Sequence, residues 1–287
     1  MRQKKHFFDI SNLFFWIILG VILFLLLPYF KNGIYDDKKV EEWISLLEKK
    51  KKQEVVEDTI AQVGTFHNWN WIDFYHKSRK IRFSHNKDAY STCETNREKI
   101  EIGDFKIYEK LYNHDKLILA DFITQFKVQI KKRNMDYFQS LNFVCSSIQF
   151  IPYTLIRADE NCPCTEDFYD YVDKCESLKD GNGCCENVLP FAVYAPFEFV
   201  IKKTGDCDTR ALLAFTILKE LGFDVAVMVS ESKRHSVLGI AIPPHRSGRL
   251  DYGKNNYGKK YYLWELTSQD WRFGHGVLGN DWKTALE

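Results

Sequence analysis

The chain carries Gly205-Asp206-Cys207-Asp208-Thr209-Arg210-Ala211, and this stretch runs directly into a helical pattern of apolar residues. Leu212, Leu213, Phe215, Ile217, Leu218 and Leu221 recur at helical spacing, and Gly222 supplies a stop signal. The pattern predicts a helix whose first turn holds Cys207. Free N–H groups and the positive end of the helix dipole favour a thiolate at such a position. A cysteine that only fills a core gains nothing from that placement, whereas a nucleophile does.

Working outward, two further residues complete a constellation. His235 follows one strand-like apolar run, 225–229, and opens another, 237–242. Glu265 lies in a third, Tyr261-Tyr262-Leu263-Trp264-Glu265-Leu266-Thr267. The order is thiol on a helix, imidazole at a strand start, carboxylate on the next strand. Each gap fits one supersecondary unit, so the three side chains can converge while lying apart in sequence. The chemistry needs these types: an imidazole takes the thiol proton, and a carboxylate fixes the ring's tautomer and orientation. The backbone N–H of Cys207 is a natural oxyanion donor. Asp206 and Asp208, beside the sulfur, read as helix caps, because Asp accepts from the exposed amides of a first turn.

The run from Thr204 to Leu213 resembles the nucleophile motif of the transglutaminase-like superfamily, in particular its bacterial cysteine-peptidase-like branch. His235-Ser236-Val237-Leu238-Gly239 and Tyr261 to Thr267 are similar to that family's second and third motifs in order and spacing. Tyr194-Ala195-Pro196-Phe197-Glu198 and Gln149-Phe150-Ile151-Pro152-Tyr153 also look familial, and the resemblance spans roughly 118–275. It implies an α+β, transglutaminase-like (papain-like) core in which a nucleophile helix packs on an antiparallel sheet. It also implies Cys207, His235 and Glu265 as catalytic residues. Many members carry Asp where this chain has Glu265, and Asp251 and Asp270 are the fallback orienters. Gln149 and Tyr153 are candidate polar donors to the cleft or oxyanion, with a structural role as the alternative. Asp206 and Asp208 are candidate calcium ligands, as acidic residues beside the nucleophile are in some relatives. No organic cofactor is implied.

The front of the chain reads differently. Residues 13–30 form an apolar stretch broken only by Gly20, Pro28 and Tyr29, with Arg2, Lys4 and Lys5 ahead of it. That length is about the minimum for a transmembrane helix, and no small-residue cleavage site follows. The expectation is an uncleaved signal anchor at 13–30, a short cytoplasmic start at 1–12, and the bulk outside, on the periplasmic side of a bacterial inner membrane. Lysines on both flanks make the positive-inside signal weak. A helical stem at 31–64 follows, then an aromatic hairpin and connecting region at 65–115, then a transglutaminase-like domain at 116–287. Within the last, 117–132 and 136–150 carry helical apolar faces.

Cysteine usage is the second unusual feature. Cys162, Cys164, Cys175, Cys184 and Cys185 crowd an insertion at 154–193, rich in Asp, Glu, Gly and Asn. An oxidising compartment favours disulfides there. The odd count leaves one cysteine free, paired with Cys145 or Cys93, or in a vicinal Cys184–Cys185 bridge. Zinc and free thiols stay open, although Cys-x-Cys followed by Cys-Cys does not match a standard tetrahedral spacing. His245 and His275, among Pro, Gly and charged residues, read as loop histidines. A net charge of +1 gives no case for nucleic-acid binding, and 22 Phe, 15 Tyr and 7 Trp argue for a packed core.

The function expected from this sequence is membrane-anchored thiol chemistry on peptide or isopeptide amides, hydrolysis ahead of transamidation, through a Cys207–His235–Glu265 triad. The alternative is a non-catalytic, membrane-tethered binding or assembly module of the same fold. Substrate identity stays open, because pocket shape decides it.

Overall fold

The computed structural model describes residues 64–101, 104, 106–156, 185, 186, 189–242, 252–274, 279 and 281–287. The chain divides into a unit 1–61 and a unit 62–287, and all described residues belong to the second. The expected segments at 1–12 and 13–30, nearly all of the stem at 31–64, and Cys162, Cys164, Cys175 and Cys184 lie outside the described residues, as do Asp251, His245 and His275. Cys185 is described in its backbone alone.

An aromatic hairpin opens the described unit. Strands β1 (Thr65–Ile72) and β2 (Ser78–His85) pair antiparallel, with Trp69 opposite Ile81 and Trp71 opposite Arg79. Alternation buries Trp69, Trp71, Ile81 and Phe83 on one face and leaves Asn68, Asn70, Lys80 and Arg82 outside. Helices α1 (Ala89–Glu98), α2 (Ile107–Ile118), α3 (Ala120–Lys132) and α4 (Tyr137–Gln149) follow. Leu119 separates α2 from α3, so the apolar pattern at 117–132 straddles a corner rather than one helix. Asp136 and Gln139 close a capping box at the start of α4, each side chain satisfying the other's backbone N–H.

The second half opens with a parallel pair of two-residue strands, β3 (Leu155–Ile156) and β4 (Cys185–Glu186), then α5 (Pro196–Lys202) and α6 (Cys207–Glu220). Strands β5 (Val225–Ser230), β6 (His235–Ile240), β7 (Tyr252–Lys254), β8 (Lys260–Trp264) and β9 (Lys283–Leu286) complete the chain. They close into a barrel in the order β5-β6-β8-β7-β9. Helix α6 packs against β5 and β6.

That closure corrects the fold expected from the sequence, a transglutaminase-like core built on an antiparallel sheet behind a transmembrane helix. The C-terminal strand β9 turns back to pair antiparallel with β5 and, at Lys254–Lys283, parallel with the short β7, so no edge is left open. The interior explains why closure is possible. Ala226, Met228, Val237, Tyr261, Leu263 and Trp282 form a core of their own, separate from the larger core between helices and barrel. Met228 occupies the space left by two glycines: a Cβ on Gly239 would lie 2.6 Å from its Cγ, and one on Gly253 2.3 Å from its Cε.

The expected single-pass, extracytoplasmic placement is corrected as well. Among the described residues, no helix is long and apolar enough to cross a membrane. The longest, α6, has 14 residues, against the ~20 a bilayer core requires.

Two buried ionic devices hold the helices. Arg97 of α1 meets Glu198 of α5 through two bonds, Nε to Oε2 at 2.8 Å and Nη2 to Oε1 at 3.1 Å. Glu198 also accepts the Ala195 N–H at 2.8 Å, tying the start of α5 into the pair. Arg210 is fully buried in α6, and each guanidinium nitrogen donates to backbone carbonyls. Nε reaches Gly205, Nη1 reaches Ile148 and Leu266, and Nη2 reaches Ile151 and Pro152. Five donors in a fixed fork thus join the end of α4, the turn before α6 and the segment after β8.

Candidate active site

Cys207 is the first residue of α6, and the turn before it admits only glycine at position 205. A Cβ there would lie 2.7 Å from Thr209 Cγ2 and 2.9 Å from the Phe199 ring. Asp206 caps the helix, its Oδ1 accepting the Thr209 N–H at 3.3 Å. The Cys207 sulfur lies 3.6 Å from Asp208 Oδ1 and accepts the backbone N–H of Ser236, the residue after His235. The helix start is therefore docked onto the start of β6. Cys93, Cys145 and Cys207 are free thiols.

His235 and Glu265 meet directly. Nε2 of the ring lies 2.6 Å from Glu265 Oε2, and a carboxylate can only accept, so Nε2 carries the proton. The other carboxylate oxygen accepts from the Leu266 N–H at 2.8 Å, the Thr267 N–H at 2.9 Å and the Thr267 hydroxyl at 2.8 Å. Four donors thus fix a carboxylate that is 4 % exposed. They hold Glu265 below its usual range although burial opposes this, and the His235 bond is foremost among them. The same bond raises His235 above its ordinary value against desolvation, with the Asp208 charge adding to it. Trp282 packs edge-on to the imidazole, with centroids 6.1 Å apart. With Nε2 committed to Glu265, Nδ1 is the ring nitrogen left to act as a base.

The surroundings of the sulfur do not favour the thiolate that the sequence suggests. Burial first, then the Asp208 and Asp206 carboxylates, push the Cys207 thiol well up, and the Ser236 N–H opposes them. The magnitudes decide this. A helix terminus contributes 0.3 to about 1 kcal/mol toward an anion, whereas a like charge some 4 Å away costs about 4 kcal/mol under typical near-surface screening. Burial and the neighbouring carboxylates therefore favour the neutral thiol over the thiolate at Cys207.

The remaining candidates separate. Gln149 donates both amide hydrogens, to the Glu265 and Trp271 carbonyls at 2.7 Å each, so it braces the Glu265 segment and has none left for an oxyanion. Tyr153 bridges to Gly205 and stacks over the Arg210 guanidinium at 5.6 Å, and its phenol is pushed well up by burial and by the nearby Cys207. Asp270 is exposed and takes no part. Calcium does not fit: it takes 6–8 oxygens, while Asp206 is buried in its capping bond and Asp208 faces the thiol. Among the described residues, the one group with metal-ligand spacing is Cys93, His114 and Asp115, away from Cys207 in sequence and on other helices.

One residue of the site had no motif to announce it, and a second lay inside the motif with its role unread. The Tyr108 hydroxyl, from α2, lies beside Asp208, Ser236 and the Cys207 sulfur, and burial first and then the Asp208 charge push its phenol well up. Arg210, described above, sits one turn after Cys207. It lies inside the Gly205–Ala211 run itself, but only the fold shows its guanidinium spent on backbone carbonyls.

Compared with family models, with curated proteins and with solved structures, the chain matches none.

Proposed function

We propose that the protein is a thiol-dependent acyl-transfer enzyme that hydrolyses peptide or isopeptide amides. Cys207 is the nucleophile, His235 the general base and then acid, and Glu265 the residue that orients His235. The observation that carries this reading is the 2.6 Å His235–Glu265 pair, set on the strand start whose Ser236 amide contacts the Cys207 sulfur. The motif resemblance to transglutaminase-like cysteine peptidases supports the same assignment of roles.

The chemistry follows from the protonation states. Because burial and the neighbouring carboxylates favour the neutral thiol at Cys207, His235 Nδ1 takes its proton as sulfur attacks the carbonyl carbon, so base and nucleophile act together. Glu265 stabilises the imidazolium that results. The Cys207 N–H, free at the helix start, faces the developing oxyanion. Collapse breaks the C–N bond, and the imidazolium returns its proton to the leaving amine. Water then gives its hydroxyl to the thioester carbon and its proton to His235, and the thiol is restored.

The test is cleavage of a mixed fluorogenic peptide-amide library. Wild-type protein should release fluorophore, and Cys207→Ala, with unchanged circular dichroism, should release none. Equal release by both removes the reading. A second reading, a binding module that keeps the motif without turnover, draws on the upward push on the Cys207 thiol. It predicts no release by either protein.

A further inference from the structure

We infer that Cys93, His114 and Asp115 bind one divalent metal ion of the zinc class, which clips α1 to α2. The site stands on other helices than Cys207 and needs nothing from the acyl-transfer chemistry.

The donor set comes first. Cys93 lies in α1, His114 and Asp115 lie in α2, and the three ligand atoms are all within 4.8 Å of one another. Sulfur, imidazole nitrogen and carboxylate oxygen together suit a borderline ion such as Zn²⁺, whereas Mg²⁺ and Ca²⁺ take oxygen ligands. Cys93 and Asp115 are fully buried, and the His114 side chain is 26 % exposed. The ion, and the water that fills its fourth position, enter past that ring. Asp115 is already aimed: Oδ2 accepts the Phe197 N–H at 2.8 Å, at the start of α5, and Oδ1 lies 2.7 Å from His114 Nδ1. A backbone N–H on the outer oxygen is the support that metal-bound carboxylates require.

Geometry and charge both admit the ion. Zinc bonds of about 2.0–2.1 Å at a tetrahedral angle hold nitrogen and oxygen about 3.3 Å apart, so seating the ion opens the His114–Asp115 pair by about half an ångström. Burial first, then the Asp115 charge, push the Cys93 thiol far up, so without metal the sulfur keeps its proton. Thiol, neutral imidazole and carboxylate then sum to one buried negative charge. Arg97, one turn along α1 from Cys93, gives Nε and Nη2 to Glu198 instead. A divalent ion brings two positive charges and displaces the thiol proton to solvent, while the ring proton moves from Nδ1 to Nε2. The occupied site is neutral, which suits its burial.

The experiment strips the full chain with EDTA, dialyses it under a non-thiol reductant, and titrates it with Co²⁺ as a spectroscopic stand-in for Zn²⁺. Thiolate-to-cobalt charge transfer in the near ultraviolet reports sulfur ligation, and difference spectra against Cys93→Ala cancel metal held by other cysteines. The wild type should bind one more equivalent than Cys93→Ala, and Zn²⁺ should displace it while excess Mg²⁺ should not. His114→Ala should hold that equivalent at least about tenfold more weakly. If Cys93→Ala fails to fold, His114→Ala, altered at the partly exposed ligand, decides through the strength of its charge-transfer band. Equal stoichiometry in wild type and Cys93→Ala, or cobalt binding unchanged in His114→Ala, overturns the site.

Discussion

Replacing Glu265 by Gln changes one atom and reverses one hydrogen bond. Three donors, the Leu266 and Thr267 amides and the Thr267 hydroxyl, converge on Oε1. The carbonyl oxygen of the new amide must stay there, because turning it away would leave those donors facing an NH2 group. The NH2 therefore faces His235 Nε2, where a carboxylate oxygen accepted at 2.6 Å. The imidazole can meet a donor only by moving its proton to Nδ1, the nitrogen needed as a base. Loss of the correct tautomer is worth about 10⁴ in turnover. The stability effect has a sign. His235 is raised above 6.5, so its share is complete below 6.5 and lost as pH rises through the raised value. Glu265 is lowered below 4.5, so its share is complete above 4.5 and lost as pH falls through the lowered value. The substitution should therefore destabilise most between pH 4.5 and 6.5, by about 1.5–3 kcal/mol for a charge-assisted bond. Histidine ring NMR gives the direct assay: the His235 midpoint should fall, since burial, which lowers it, then loses its main opponent. An unchanged His235 titration in Glu265→Gln refutes the reasoning.

Three further outcomes follow from the packing. Arg210→Met should cost at least about 1–3 kcal/mol in urea unfolding, because it takes the guanidinium donors from the buried Ile151 and Leu266 carbonyls, whereas the Ile148 and Gly205 carbonyls keep backbone donors, and Arg210→Lys should recover only part. Arg97→Met or Glu198→Gln alone should destabilise by ~3–5 kcal/mol, and a double-mutant cycle should show strong coupling, since each single change strands its partner. Gly239→Ala should lower stability by about 1–3 kcal/mol without touching the site, because its Cβ would meet Met228 Cγ at 2.6 Å and Tyr261 Cβ at 2.8 Å.

Local patterns carried the helix at Cys207, and long-range closure did not show in them. The apolar spacing from Leu212 to Leu221 and the stop at Gly222 mark out a helix that the structure runs from Cys207 to Glu220, with Gly222 at φ +88°. Barrel closure depends instead on β9, four residues of mixed character, and on β7, three residues, both too short to show a period. Two glycines that only make sense beside Met228 look, in sequence, like loop or strand punctuation. The site divides the same way. His235 and Glu265 stood out because each opens or ends an apolar run, but Gln149 looked like a cleft donor until its two amide hydrogens were seen spent on carbonyls. Against the helix-start preference for a thiolate, burial and then the Asp208 and Asp206 carboxylates push the thiol the other way, and none of these shows before the chain is folded. Only the folded chain brings Tyr108 beside Asp208 and Ser236.

Acylation of the sulfur by p-nitrophenyl acetate, followed at neutral pH as the nitrophenolate burst and by intact mass, reaches furthest into the mechanism. The wild type should form one acetyl-thioester, Cys207→Ala none, and His235→Ala the same adduct at least about 100-fold more slowly. Equal burst rates in wild type and His235→Ala would contradict the claim that this imidazole takes the proton from this thiol.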